Sequence, residues 1–181
     1  MPRVPEITSR DQVPEDLRHN FDSIVESRGR VGGPFAVLMN SPEAAGRIAH
    51  IGTYLRFDNT LPPPLRELAI IAAVREWDCA PEWSAHVAIA RNEGVNEATI
   101  ATVGAKGPID GLAQDDRSIV QYVRELIQTR RVSDATFAAA HSMLGDQGIT
   151  DLTATTGYYC MIACALNAFD VKAPAGAIPL P

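Results

Sequence analysis

The chain has 181 residues, 46% of them hydrophobic, and its 16 Lys and Arg against 22 Asp and Glu leave a formal net charge of -6. That is enough apolar sequence to enclose a core in one domain, and it argues against a disordered polymer. An acidic balance without a run of Lys or Arg excludes a nucleic-acid backbone or an anionic membrane surface as the natural partner, leaving small molecules and proteins.

The opening residues MPRVPEITSRDQVPEDL lack the apolar run of a secretory signal, and no stretch nears the ~20 apolar residues that cross a bilayer, so a cytoplasmic protein is expected. Prolines at positions 2, 5 and 14 make residues 1–14 an extended arm able to reach a neighbouring subunit, and a short helix follows from about Pro14 to Arg28. GRVGGPF, residues 29–35, reads as a glycine-rich turn; it is no phosphate loop, because no Gly-Lys-Ser/Thr follows and no strand precedes it. Ser41 is an N-cap with Pro42 at the first helical position of a segment running to about Phe57. LPPPLRELAIIAAVREW keeps its prolines in the first turn, sets Leu65, Leu68, Ile71 and Ala72 along one side, and should stop near Trp77.

Asp78 reads as the N-cap of the next helix, since Pro81 is tolerable only in a first turn, and Gly94 as its stop. A small helix from about Asn96 to Val103, a loop to about Leu112 and a helix from about Asp115 to Thr129 follow, the last closed by Arg130 and Arg131. Ser133 caps a further helix ending at Gly145, and ITDLTATTGYYCMIACALNAF forms a long, nearly all-apolar helix that should be buried over most of its surface. No alternating strand pattern appears, so the fold class is all-α. The expected organisation is an N-terminal arm and helix over residues 1–28, a helical domain over 29–175 and a C-terminal tail over 176–181.

Chemistry concentrates in DCAPEWSAH, residues 78–86. On a helix, Cys79, Glu82 and His86 fall within about 60° of one another on one face. The three cysteines, Cys79, Cys160 and Cys164, are an odd set in a chain without a secretory signal, which argues against a disulfide framework. Each cysteine has a plain reading as a small buried hydrophobe, and His86, among Ala85, Val87, Ala88 and Ile89, has one as a structural histidine satisfied by a carboxylate. Glu82 and His86 at i, i+4 could ligate zinc or iron, but no second pair stands at ligand spacing and His19, His50 and His141 are isolated; no metal is expected. Trp77 and Trp83 suit core or subunit contacts.

The stretch LRELAIIAAVREWDCAPEWSAHVAIARNEGV resembles the core of the carboxymuconolactone decarboxylase family, which is related to the alkylhydroperoxidase D group, and a looser likeness runs from GRVGGPFAVLMNSPE to NAFDV. The resemblance implies an alkylhydroperoxidase D-like helical bundle, assembled as trimers or hexamers with sites near subunit contacts. The peroxidase branch carries a glutamate, a Cys-x-x-Cys and a histidine four residues on. Glu67, Cys79 and His86 match three of those positions, and Glu82 replaces the second cysteine. The decarboxylase branch typically has a glutamate and the histidine here, which Glu82 and His86 match.

The leading expectation is therefore a homo-oligomeric, cofactor-free decarboxylase or related lyase acting on a small cyclic, lactone-type carboxylic acid. His86 would stabilise charge or supply the proton, Glu82 would set its state, and Glu67, reachable if its helix forms a hairpin with the next, would be a second acid or relay. Arg56 and Arg75 are the nearest basic groups for the substrate's carboxylates. Two alternatives stand beside it: a thiol peroxidase using Cys79, and a non-catalytic helical assembly module in which Glu82 and His86 pair at a subunit contact.

Overall fold

The computed structural model describes residues 1–181 and is all-α, without a strand. Short 3-10 turns at Arg10–Gln12 and Glu15–Leu17 precede eight helices: α1 (Arg18–Arg28), α2 (Pro34–Leu38), α3 (Pro42–Thr53), α4 (Pro63–Glu76), α5 (Ala80–Asn92), α6 (Glu97–Gly104), α7 (Gln114–Thr129) and α8 (Asp134–Ala168). The chain groups into two compact units, residues 1–58 with 164–172 and residues 59–163 with 173–181.

In the first unit, backbone and side-chain hydrogen bonds hold the arm, and an apolar cluster fills the interior. The arm is tied down by Arg3, whose amide donates to Phe169 O at 2.7 Å, by Ile7 N to Ala36 O at 2.8 Å, and by Asn40 Nδ2 to Pro5 O at 2.7 Å. Its role is thus at least partly internal. The helix expected from Pro14 begins only at Arg18, because Pro14 and Glu15–Leu17 take a 3-10 turn first. Gly29 ends α1 in the left-handed region at φ 77°, a conformation open to glycine at little cost, and begins the glycine-rich turn expected there. Val13, Phe21, Ile24, Val31, Phe35, Met39, Ala45 and Ala49 form one buried apolar cluster. Helix α3 stops at Thr53 and passes into a single π turn, Tyr54–Asp58, short of the continuous helix expected to Phe57.

The second unit is organised by α4. Residues 67–74 of that helix are all buried, so it is no amphipathic helix with one apolar side. Packed by α5, α6 and α7 together, it has no face left for solvent, and the unbroken run LAIIAAV supplies apolar groups all round. Helix α7 buries Ile119, Val120, Tyr122 and Val123. Helix α8 is interrupted at Gly145, at φ 67°, where the sequence placed a stop. Its second half leaves Thr153, Gly157, Cys164 and Asn167 exposed, a polar and small-residue stripe that interrupts the burial expected for it. Asp151, buried on α8, accepts from Thr60 N at 3.0 Å and Thr60 Oγ1 at 2.7 Å and so fixes the loop that leads into α4. No helix is long and apolar enough to cross a membrane.

Candidate functional site

The site is made by the turn between α4 and α5. Trp77 closes α4, Asp78 adopts a left-handed conformation at φ 48°, and the amides of Asp78 and Cys79 bond back to Arg75 O and Val74 O, both at 3.0 Å. This is a Schellman closure with aspartate where glycine is commonest. Asp78 is thus the residue that ends α4, and Cys79 is the N-cap of α5, a correction of one position to the sequence reading. An aspartate tolerates the left-handed region better than most side chains, and here its carboxylate is held by Arg75 and by Lys106 Nζ at 3.0 Å. With Pro81 in the first turn, α5 starts at once, and the two helices form a tight hairpin.

The hairpin sets Glu67 of α4 against His86 of α5. Glu67 Oε2 lies 2.8 Å from His86 Nδ1, and Glu82 Oε2 lies 3.5 Å from Nε2. The first is hydrogen-bond length; the second is longer than a hydrogen bond ordinarily makes. Glu67 is 1% exposed, His86 3% and Glu82 8%, so two carboxylates and an imidazole share a nearly closed interior. Burial disfavours the imidazolium, but hydrogen bonding and charge from Glu67 and Glu82 outweigh it and push the His86 pKa up to about 9. Both carboxylates thus favour the charged form of His86, whose ring is oriented at Nδ1 by Glu67 and held loosely at Nε2.

Of the candidate residues, Glu67, Glu82 and His86 come together. Glu67 lies in the second turn of α4 and is buried. Cys79 stands at the hinge of the hairpin with no exposed surface. Arg75 is committed elsewhere: Nε donates to Gly104 O at 2.6 Å, one Nη to Asp78, the other to Pro181 O at 2.9 Å. Arg56 belongs to the first unit, 5.3 Å over the Phe57 ring, whereas the Glu67, Glu82 and His86 cluster is built from the second. No disulfide joins Cys79, Cys160 and Cys164, and no group of three or more His, Cys, Asp or Glu side chains is arranged to hold a metal ion.

One participant was missed in the sequence. Tyr159 of α8, buried, sets its ring edge-to-face against His86 with centroids 4.9 Å apart and planes at 84°, and is itself crossed by Tyr158 at 5.3 Å. The available signal was the pair of tyrosines in TTGYYCM: a buried phenol in an apolar helix carries a polar tip that has to be accommodated.

Residues 42–114, which contain Glu67, Cys79, Glu82 and His86, match the model of the carboxymuconolactone decarboxylase family. No curated protein matches the chain. Among solved structures, an uncharacterised peroxidase-related protein with an alkylhydroperoxidase AhpD core from Ralstonia eutropha JMP134 is 19% identical with a TM-score of 0.77, over 98% of this chain and 97% of its own. A protein of unknown function from Agrobacterium tumefaciens, named for antioxidant defence and AhpD, is 19% identical with a TM-score of 0.65 over 75% of this chain and 94% of its own. An uncharacterised peroxidase-related protein from Silicibacter sp. TM1040 is 18% identical with a TM-score of 0.65, over 91% of this chain and 88% of its own. The hairpin that unites Glu67 with His86 lies inside the segment that matches the carboxymuconolactone decarboxylase family model, and the chain shares the alkylhydroperoxidase D-like helical fold of these neighbours.

Proposed function

We propose that the chain is an acid–base enzyme of this family: a cofactor-free decarboxylase or related lyase acting on a small cyclic, lactone-type carboxylic acid, and a homo-oligomer, trimeric or hexameric. The observation that carries the reading is the buried imidazole of His86, fixed at Nδ1 by Glu67 at 2.8 Å while Nε2 faces Glu82 across 3.5 Å. A group that keeps its proton to about pH 9 is a proton source at neutral pH.

In the proposed reaction the bond between ring carbon and carboxylate carbon breaks and carbon dioxide leaves. The electron pair passes through the adjoining double bond to the ring carbonyl oxygen. His86 Nε2–H stabilises that oxyanion and gives its proton to carbon as the pair returns to form the C–H bond. The imidazole recovers a proton by way of Glu82, the most exposed of the three groups. Overall a carboxylate and a proton become a C–H bond and carbon dioxide. Glu67 is a positioning residue that orients the ring. Neither Arg56 nor Arg75 has a part in this reading. Steady-state assays against a panel of lactone acids test it: His86→Ala and Glu82→Gln should each lose well over ~100-fold in turnover, and unchanged turnover in both ends the proposal.

A thiol peroxidase is the second reading, favoured by the names that the structural neighbours carry. The Cys79 thiolate would attack the peroxide O–O bond, become a sulfenic acid and release an alcohol or water. A thiol, from Cys160, Cys164 or an external donor, would then condense with it to a disulfide and water. Cys79 is as fully buried as Glu67 and His86, so burial does not rank the two readings; Glu82 in place of a second thiol three residues on is what puts this one second. Peroxide consumption fully retained by Cys79→Ser would remove it.

A further inference from the structure

Helix α5 is also gripped by the segment that follows α8. Residues 173–181 lack helical or strand hydrogen bonding and contain Pro174, Pro179 and Pro181. Residues 174–177 make a turn, with Ala177 N donating to Pro174 O at 3.1 Å and Gly176 at φ 77°; after it, proline at two of the four residues 178–181 restricts the backbone and removes amide donors, so that stretch must be held through its carbonyls and remaining N–H groups. That is how it is held. Ile178 N donates to Ser84 Oγ at 2.8 Å, Trp83 Nε1 donates to Pro179 O at 3.0 Å, and Arg75 Nη2 donates to Pro181 O at 2.9 Å. Gly104 at the end of α6 makes the room. A Cβ there would stand 2.9 Å from Pro181 Cγ and 3.1 Å from the Trp83 ring, so any larger residue would push on both.

An indole N–H aimed at a carbonyl beside proline, flanked by further donors and acceptors on a helical surface, is the chemistry by which grooves bind extended proline-rich peptides. The elements that build it are the ones that build the catalytic hairpin. Arg75 is on α4; Trp83 and Ser84 are on α5, directly after Glu82 and within three residues of His86. Trp83 is 2% exposed with the segment in place. Its burial and its one hydrogen bond therefore both weigh on how α5 is seated.

We propose that this face of α4, α5 and α6 is a receptor for an extended, proline-flanked segment, filled by the chain's own residues 178–181, and that its occupancy seats α5 against α4. Trp83 and Ser84 are then positioning residues for Glu82 and His86. The inference goes beyond the acid–base reading, because it concerns the spacing of side chains and holds whichever reaction they perform.

Amide hydrogen exchange by mass spectrometry on the full chain, together with an NMR titration of the His86 ring, tests it in Ser84→Ala, Ser84→Thr and Gly104→Ala. Ser84→Ala and Gly104→Ala should speed exchange over residues 177–181 by roughly 2- to 10-fold, the scale of one lost hydrogen bond. They should also speed exchange in the first turns of α5 and shift the His86 midpoint, whereas Ser84→Thr, which keeps the hydroxyl, should restore both. Two results would overturn the proposal: residues 177–181 exchanging at the unstructured rate in the unaltered chain, or loosening in the variants while α5 and the His86 midpoint stay put. Neither readout depends on turnover, so a failure of the decarboxylase reading leaves this test intact.

Discussion

Phe21, Ile24, Phe35 and Met39 fill the interior of the first unit with carbon, whereas Glu67, Glu82 and His86 put three ionisable groups inside the second. The two kinds of burial have opposite energetics. A fully buried large apolar side chain contributes about 1.5–3 kcal/mol. Removing an ion from water costs several kcal/mol, and its partners repay this only with good geometry; well-packed apolar groups in the same place often serve stability as well or better. Packing accounts for the first interior. For the second, stability is a weak explanation, and a site that keeps a proton on a buried imidazole is a stronger one.

Truncations sharpen that contrast most. Glu67→Ala leaves the His86 cation short of its close partner and should lower unfolding free energy by roughly 3–5 kcal/mol, while also lowering the His86 midpoint. Phe21→Ala should be comparably destabilising, about 3–5 kcal/mol through the cavity it leaves, yet leave that midpoint where it is. Denaturant melts read with the NMR titration of each variant separate the two; a His86 midpoint that moves equally in both would erase the distinction.

The pH dependence is the next effect in size. Folding raises the His86 pKa from 6.5 to about 9, so the folded state binds the extra proton throughout that window. Its stabilising contribution is fully present below about pH 6.5 and is lost as pH rises through about 9. Melting temperature should fall across this interval in the unaltered chain, and the step attributable to this ring should be absent from His86→Gln.

Smaller still is the tether between α8 and the entry to α4. Asp151→Ala removes a buried carboxylate from Thr60 N and Thr60 Oγ1 and should cost about 1–3 kcal/mol by denaturant melts. At the bottom of the scale, Arg91 and Glu97 pair at 2.6 Å on the surface, where solvent competes for both. Arg91→Ala should not measurably change the melting temperature.

Much of this architecture is legible in local sequence. Proline at the first positions of α3, α4 and α5, Asn96 capping α6 through Ala98 N, and Gly29 and Gly145 at left-handed φ each mark a boundary by chemistry confined to a few residues. The stripe of Cys79, Glu82 and His86 was likewise visible from helical spacing, and Glu67 was within reach once the break at Trp77 and Asp78 was read as a hairpin. What local pattern could not give was the division of labour. Spacing pointed to Glu82, one turn from His86, as the orienting carboxylate, but the hairpin brings Glu67 from 19 residues away to the closer nitrogen. Helical period describes neighbours on one helix, and the closest partner lies on another. For the same reason Tyr159 was missed, and Arg75, chosen for nearness in sequence, is bound to Gly104, Asp78 and Pro181. The all-round burial of α4 also escaped a one-face reading, since an alanine-rich apolar run does not say how many neighbours will cover it.

The central claim is that two glutamates hold His86 as a buried cation, and an NMR titration of its ring in the unaltered chain, Glu67→Gln and Glu82→Gln tests it most directly. A midpoint near 9 that falls in both variants, further in Glu67→Gln, is the expected result. A midpoint at or below the ordinary value of 6.5, or one indifferent to both substitutions, would contradict the account.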